Sequence, residues 1–176
     1  MQRLALSLSL LCALGVLGSQ AFAQPAQPPA AAPAAPAAAP APPPPFGTPI
    51  TNDQAKKAAA AAIAEATKMN IAVAIAIFEP SGDLVYFERM DNTQYGSLTV
   101  AQQKGRSAAL FRRPTKSFAD RVAQHDLGPL ALAGANWSDG GLPIIVGGKM
   151  IGAIGCSGGA GPQDGQVSKA GTDALM

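Results

Sequence analysis

The sequence has 176 residues with 13 Lys and Arg, 11 Asp and Glu, and a formal net charge of +2. Because the positive and negative charges nearly cancel, the chain has no general electrostatic attraction to nucleic acid, and we expect no nucleic-acid partner. The chain contains one histidine, which excludes a histidine-rich metal site.

Residues 1–23 have the pattern of a secretory signal peptide. Arg3 gives a positive start, residues 4–17 form an apolar run, and Ala21-Phe22-Ala23 matches the small-residue cleavage pattern. The run is shorter than the roughly 20 residues that a membrane span requires. We therefore expect cleavage after Ala23 and a periplasmic or secreted protein without a membrane span; an uncleaved anchor is the alternative. Cleavage removes Cys12, so Cys156 alone remains and no internal disulfide forms.

Residues 24–49 have the composition of a linker, with 11 prolines, 10 alanines and no charged residue. Proline removes backbone donors, and alanine offers little apolar surface to bury, so such a segment favours an extended polyproline II spacer. A single folded domain over residues 50–176 is left, which is an ordinary size for one domain.

The first half of this domain predicts a helix followed by a β-hairpin. Thr51 and Gln54 fit a capping box before an alanine-rich helix over residues 55–69, which ends at Asn70. Residues 71–78 alternate isoleucine or valine with alanine, which indicates a strand with one large and one small face. Turn residues at 79–83 then lead into a second alternating segment, 84–89.

The second half predicts two helices, another hairpin and a closing helix. Ser97 is a candidate cap for a helix that ends before Pro114. Thr115 is a candidate cap for a shorter helix over about 116–124. Residues 126–141 resemble an irregular loop, with a further short strand as the alternative. Residues 143–146 and 150–156 flank the Gly147-Gly148 turn, and residues 163–176 form the last helix. This order predicts an α+β domain with a largely antiparallel sheet of two hairpins flanked by helices.

Several stretches resemble the GlcG/HbpS-like heme-binding family. These are residues 75–91, IAIFEPSGDLVYFERMD; 97–115, SLTVAQQKGRSAALFRRPT; and 140–159, GGLPIIVGGKMIGAIGCSGG. Gln163-Asp164 and Ala170-Gly171 resemble the family's last helix, so the likeness covers nearly all of 52–176. The resemblance implies a profilin-like layered arrangement of sheet and helices, assembly into dimers or larger rings, and heme binding in some members. Some members are described as heme-degrading. Ser107 stands where many relatives have threonine, and its hydroxyl is a candidate heme contact.

A basic segment offers the cations that heme propionates require. Its basic residues are Lys104, Arg106, Arg112, Arg113, Lys116 and Arg121, opposed within the segment only by Asp120. Arginine is suited to forked contacts with carboxylates, and Phe111 and Phe118 are candidates to wall a porphyrin. The predicted ligand contacts are Lys104, Arg106, Ser107, Phe111, Arg112 and Arg113. The alternative is a solvated helix face with two core phenylalanines.

His125 is the candidate iron ligand, because histidine is a common strong ligand of heme iron. The alternative is an ordinary surface-loop residue. Further candidate ligands are Met69, Met90, Met150, Tyr86, Tyr95 and Cys156. Of these, Cys156 is expected to be a buried strand residue and not a reactive thiol.

These observations favour an exported heme-binding protein for heme storage, sensing or protection, and a homo-oligomer. One alternative is an enzyme that degrades heme or acts on a small carboxylate. Another is a non-catalytic oligomeric interaction module, built through the alanine face of the first strand, at Ala72, Ala74 and Ala76.

Overall fold

The structure, a computed structural model, describes residues 42–176, and the predicted signal peptide and most of the predicted linker lie outside them. The helices are α1 (Asn52–Lys68), α2 (Tyr95–Phe111), α3 (Lys116–Ala123) and α4 (Gly161–Asp173), with a short 3-10 helix at Gly128–Ala131. The strands are β1 (Ala74–Phe78), β2 (Leu84–Arg89), β3 (Gly141–Val146) and β4 (Lys149–Ser157). The α+β class and the order of elements are confirmed. Within residues 42–176, no helix has the length and apolar character to cross a membrane.

The four strands form one antiparallel sheet in the order β2-β1-β4-β3. Each predicted hairpin therefore supplies one central and one edge strand, and the central strands β1 and β4 join the hairpins. At the second turn Gly147 and Gly148 have φ angles of 57° and 74°, which suit a two-residue hairpin turn and which glycine adopts without strain.

The large and small faces of β1 are covered by different helices. Ile75 and Ile77 belong to the main core, which also contains buried alanines of α1 and Val167 of α4. Ala74 and Ala76 lie on the opposite face, in a second core with Ala101 and other alanines of α2. At Ala74 and Ala76 the alanine face is therefore covered by a helix of the same chain.

Two glycines allow α2 to approach the sheet closely. A Cβ atom on Gly155 of β4 would overlap the carbonyl oxygen of Ala101, and one on Gly105 would lie 2.8 Å from the ring of Phe78. Real Cβ contacts are essentially never this short, so a side chain at either position would push α2 away from the sheet.

Helices α1, α3 and α4 lie within three residues of their predicted bounds, whereas α2 begins before its predicted cap. Thr51 and Gln54 make the predicted capping box. Helix α2 begins at Tyr95, before Ser97, so Ser97 is not the cap. It is buried instead, and its Oγ accepts a hydrogen bond from Gln94 Nε2 (2.9 Å). Thr115 precedes α3 as predicted, but its hydroxyl donates to Ser138 O (2.6 Å) and so holds the following loop.

The chain packs against the sheet from Pro45 onward, earlier than the predicted domain start at residue 50. Pro45 O accepts from Met150 N (2.8 Å), and Gly47 N donates to Met150 O (2.8 Å), so this segment runs parallel to the start of β4. Ile50 N adds a bond to Ile151 O (2.8 Å).

A buried ion pair joins α2 to α4. Lys104 Nζ lies 2.7 Å from Asp164 Oδ2, and both side chains are 3% exposed. The ammonium also donates to Cys156 O (3.2 Å), while Asp164 Oδ1 accepts from Gly159 N (2.9 Å). Burial raises the pKa of Asp164, and the Lys104 ammonium opposes that rise. The pair fixes α4 and the preceding loop, residues 158–160, against α2.

We expect Asp164→Asn to lower the free energy of unfolding by about 3 kcal/mol or more, because it leaves a buried ammonium without its counter-charge. Urea denaturation measures the change. The matched control is Asp120→Asn, which removes the exposed pair with Lys116 (2.6 Å) and is expected to cost less than about 1 kcal/mol. Equal effects of the two substitutions would contradict a special role for the buried pair.

Candidate functional site

The predicted ligand residues of α2 point in different directions. Lys104 faces inward and is held by Asp164, so its ammonium is not part of the exposed basic surface. Arg106, two residues further along, is exposed. Ser107 is fully buried, and its Oγ accepts from Asn136 N (3.0 Å), which ties the loop before β3 to α2. No structural observation gives Lys104 or Ser107 a ligand contact, and both assignments stay predictions.

The two phenylalanines of the basic segment pack against each other. The rings of Phe111 and Phe118 meet edge to face, with centroids 5.3 Å apart and an interplanar angle of 79°. Phe118 is buried and Phe111 is half-buried. Their contact fixes α3 against the end of α2.

Arg112 and Arg113 contact this chain's own groups. Arg112 ends α2 in the left-handed conformation, with φ 50°. Its guanidinium lies 4.8 Å from the centroid of the Phe46 ring, and Nη1 donates to Pro44 O (3.3 Å). The Arg113 guanidinium lies 5.7 Å from the Phe118 ring centroid. Such cation–π contacts orient both side chains along the protein surface.

The remaining cations of the segment are paired with carboxylates. Lys116 Nζ lies 2.6 Å from Asp120, and Arg121 Nε lies 2.7 Å from Asp126. The Arg121 hydrogen bond, together with the Gly128 N–H, lowers the pKa of Asp126. Among the described residues, Arg106 differs from these cations because it has neither an ion pair nor a hydrogen bond.

Arg106 lines a groove of about 390 Å³ between α2 and the turn of the first hairpin. Phe78 and Leu84 give it apolar surface, and Asp83 is its acidic residue. From α2 the wall is formed by Thr99, Gln102, Gln103 and Arg106. The turn approaches α2 closely at Gly82, where a Cβ atom would lie 3.0 Å from Leu110. The groove thus combines an apolar strip, neutral hydrogen-bonding groups and one free guanidinium.

The sequence analysis did not predict that the first hairpin forms one wall of this groove. The residues at 79–83 indicate a turn, but a turn signal does not say which face of the sheet the turn leans toward. Gly82 has a φ of 86°, which glycine adopts without strain, and at this residue the turn lies against α2.

A second cavity of about 300 Å³ lies on the other side of Gln103. It is lined by Gly134, Ala135, Asn136 and Trp137 from the loop before β3. Trp137 is the chain's only tryptophan and is partly exposed.

The candidate iron ligands do not line the groove. His125 is exposed beyond the end of α3, with φ 64°. Met150 and Cys156 are buried residues of β4, and burial raises the pKa of the Cys156 thiol to about 12. The Tyr86 hydroxyl donates to Glu88 (2.7 Å), and this bond raises the pKa of Tyr86. Within residues 42–176, no three His, Cys, Asp or Glu side chains are grouped as a metal site.

Comparisons with known proteins agree with this fold and extend over most of the chain. The family described as "Haem degrading protein HbpS-like" matches residues 50–173. Protein GlcG of Escherichia coli K12 is 36% identical over 108 residues, which are 61% of this chain and 81% of GlcG. A double mutant of Streptomyces reticuli HbpS superposes with a TM-score of 0.67 at 30% identity, covering 74% of this chain and 89% of HbpS.

The crystal structure of a PduOC:heme complex has a TM-score of 0.65, 22% identity and coverage of 73% of this chain and 96% of PduOC. At that identity the likeness supports the fold alone. The profile match covers well over half of the sequence, and the layered fold is that of HbpS. The chain belongs to the HbpS-like family.

Proposed function

We propose that this protein binds heme in the groove between α2 and the first hairpin, outside the cytoplasm, and serves in heme storage, sensing or protection. The observation that carries the proposal is Arg106, a free guanidinium beside an apolar strip in a groove of about 390 Å³. Membership of a family described by its heme chemistry supports the choice of ligand. The signal-peptide pattern of residues 1–23 supports export.

The groove supplies two of the things that a heme site requires. A heme needs apolar contact for the macrocycle and donors for its two propionates. Phe78 and Leu84 offer the apolar contact, while the amides of Gln102 and Gln103 are donors on the same wall as Arg106. The groove is near the lower end of the roughly 300–1,000 Å³ usual for ligand sites. Part of the macrocycle would therefore stay outside, which suits a protein that takes up and releases heme.

Electrostatics orients the ligand in this groove. Arg106 attracts a propionate, whereas the Asp83 carboxylate repels one. We therefore place a propionate at Arg106 and the apolar edge of the macrocycle toward Leu84. The other arginines of the basic segment already contact Phe46, Phe118 or Asp126, so Arg106 contributes the most to affinity.

We expect Arg106→Glu to weaken hemin binding by roughly 10- to 100-fold, because it removes a charge-assisted hydrogen bond worth about 1.5–3 kcal/mol. Absorbance titration of residues 24–176, the chain expected after signal-peptide cleavage, with hemin measures the affinity. Arg113→Glu is the matched control, since it makes the same charge change outside the groove. Equal weakening by both variants would argue for the whole basic segment as the binding surface, and unchanged binding by Arg106→Glu would exclude the groove.

The groove lining offers side-chain oxygen atoms as possible iron ligands, but it contains no histidine, cysteine, methionine or tyrosine. We therefore expect His125→Ala to leave the visible spectrum of the hemin-loaded protein unchanged. Comparison of the two spectra at equal hemin loading checks this. A displaced Soret band in the variant would identify His125 as the iron ligand, and heme would then lie near the end of α3.

Heme degradation is the second candidate, and the family description favours it. Degradation opens the macrocycle and destroys its visible absorption, whereas storage keeps the absorption intact. We expect the hemin-loaded protein, incubated with ascorbate and oxygen, to bleach no faster than hemin bound to serum albumin. Faster bleaching with release of iron would indicate that the protein degrades heme and does not store it.

A further inference from the structure

The cavity beside Trp137 differs chemically from the groove that contains Arg106. It has a volume of about 300 Å³. Its lining residues are Gln103, Gly134, Ala135, Asn136 and Trp137. Of the residues that the structure describes, those lining this cavity are all uncharged. Such a lining offers no counter-charge to a carboxylate, a phosphate or an ammonium group, so the cavity suits a neutral ligand.

The indole of Trp137 gives the cavity an ordered apolar wall. Trp137 Nε1 donates to Pro129 O (3.1 Å), and Pro129 is buried. This bond fixes the ring and engages its one polar atom, so the indole presents carbon atoms to the cavity. Trp137 is 41% exposed, which leaves part of that carbon surface accessible to a ligand.

Two primary amides provide hydrogen-bonding groups in the same cavity. Asn136 Oδ1 accepts from Ser138 N (3.0 Å) and from Ser138 Oγ (2.6 Å), which fixes the amide by its oxygen. Asn136 N donates to Ser107 Oγ (3.0 Å) and anchors this position to α2. Within residues 42–176, Asn136 Nδ2 and the side-chain amide of Gln103 have no hydrogen-bond partner, so both are available to a ligand.

A neutral sugar ring matches this combination of groups. In β-linked glucose and N-acetylglucosamine the ring substituents are equatorial, so the axial C–H groups form an apolar face that packs on the electron-rich face of an aromatic ring. The hydroxyl groups of the sugar both donate and accept, so they pair with amides that a purely apolar ligand would leave unsatisfied.

We propose that the cavity beside Trp137 binds one neutral hexopyranose of a β-linked glucose or N-acetylglucosamine polymer. The sugar stacks on the indole and forms hydrogen bonds with the amides of Asn136 and Gln103. The volume of the cavity is at the lower limit of ligand sites, which suits a single ring. The proposal does not depend on heme binding. Because Gln103 lines both this cavity and the groove, the tests use Trp137 and Asn136 instead.

The only tryptophan of the chain reports occupancy of the cavity. We expect cellotetraose or tetra-N-acetylchitotetraose, titrated separately into residues 24–176, to shift the emission of Trp137 to shorter wavelength and to reduce its quenching by acrylamide, because the stacked sugar excludes water. A response to either tetramer supports the proposal and identifies the source of the sugar. A tetramer of β-linked glucuronate, which differs from cellotetraose by its carboxylates, is expected to bind more weakly. No response to either neutral tetramer, or equal binding of the charged one, overturns the proposal.

Variants of Trp137 test the stacking contact. We expect Trp137→Ala to raise the dissociation constant of the bound tetramer about tenfold or more, measured by calorimetry, and Trp137→Phe to retain most of the affinity because it keeps a flat aromatic face. Neither variant keeps the bond to Pro129 O, so a difference between them reports the aromatic face and not closure of the loop. Equal affinity of Trp137→Ala and the wild type overturns the proposal.

A matched pair of asparagine variants tests the amide contact. Asn136→Asp keeps the oxygen that accepts from Ser138 but removes the free donor, and we expect it to weaken sugar binding about tenfold. Asn92→Asp makes the same change at an exposed residue outside the cavity and is expected to have no effect. Circular dichroism verifies that each variant folds. Equal affinities of the two variants overturn the proposal.

Hemin titration separates this site from the proposed heme groove. We expect Trp137→Ala to bind hemin as the wild type does, since Trp137 does not line the groove. Loss of hemin binding in Trp137→Ala, together with no sugar binding by the wild type, would assign the cavity to heme and overturn the proposal.

Discussion

The close contact between α2 and the small-residue face of the sheet determines the rest of the structure. Alanines on β1 and α2, together with Gly105 and Gly155, let the helix lie almost against the strand backbone. Dense packing of this kind leaves little freedom of position or rotation. The direction of each α2 side chain then follows from its place on the helix, inward at Lys104 and outward at Arg106.

One consequence is that neighbouring basic residues of α2 have different roles. Lys104 is committed to Asp164 and holds α4, while Arg106 is free at the edge of the groove. The first hairpin adds the opposite wall, since its turn reaches under α2 at Gly82. The candidate site therefore exists because one helix covers the centre of a four-stranded sheet and leaves space beside it.

Local patterns in the sequence were sufficient to predict most of the fold. The alternation in 71–78 and the Gly147-Gly148 turn each depend on a few adjacent residues; the turn is confirmed, and the strand is confirmed over Ala74–Phe78. The site was harder to predict, because a basic run does not reveal which of its members face inward. The ion pair of Lys104 joins residues 60 positions apart in the chain, so no local pattern indicates it. The start of α2 was missed because Ser97, a good cap by type, is taken into the buried contact with β4.

The attachment of residues 44–50 to β4 also has a mechanical consequence. A force applied to the chain before Pro44 reaches the Arg112 contacts and the short parallel pairing with Met150 before it reaches α1. These contacts are few, so they would yield first and absorb part of the extension. The alanine-packed helices and the central strands would then remain intact under loads that detach the leading segment.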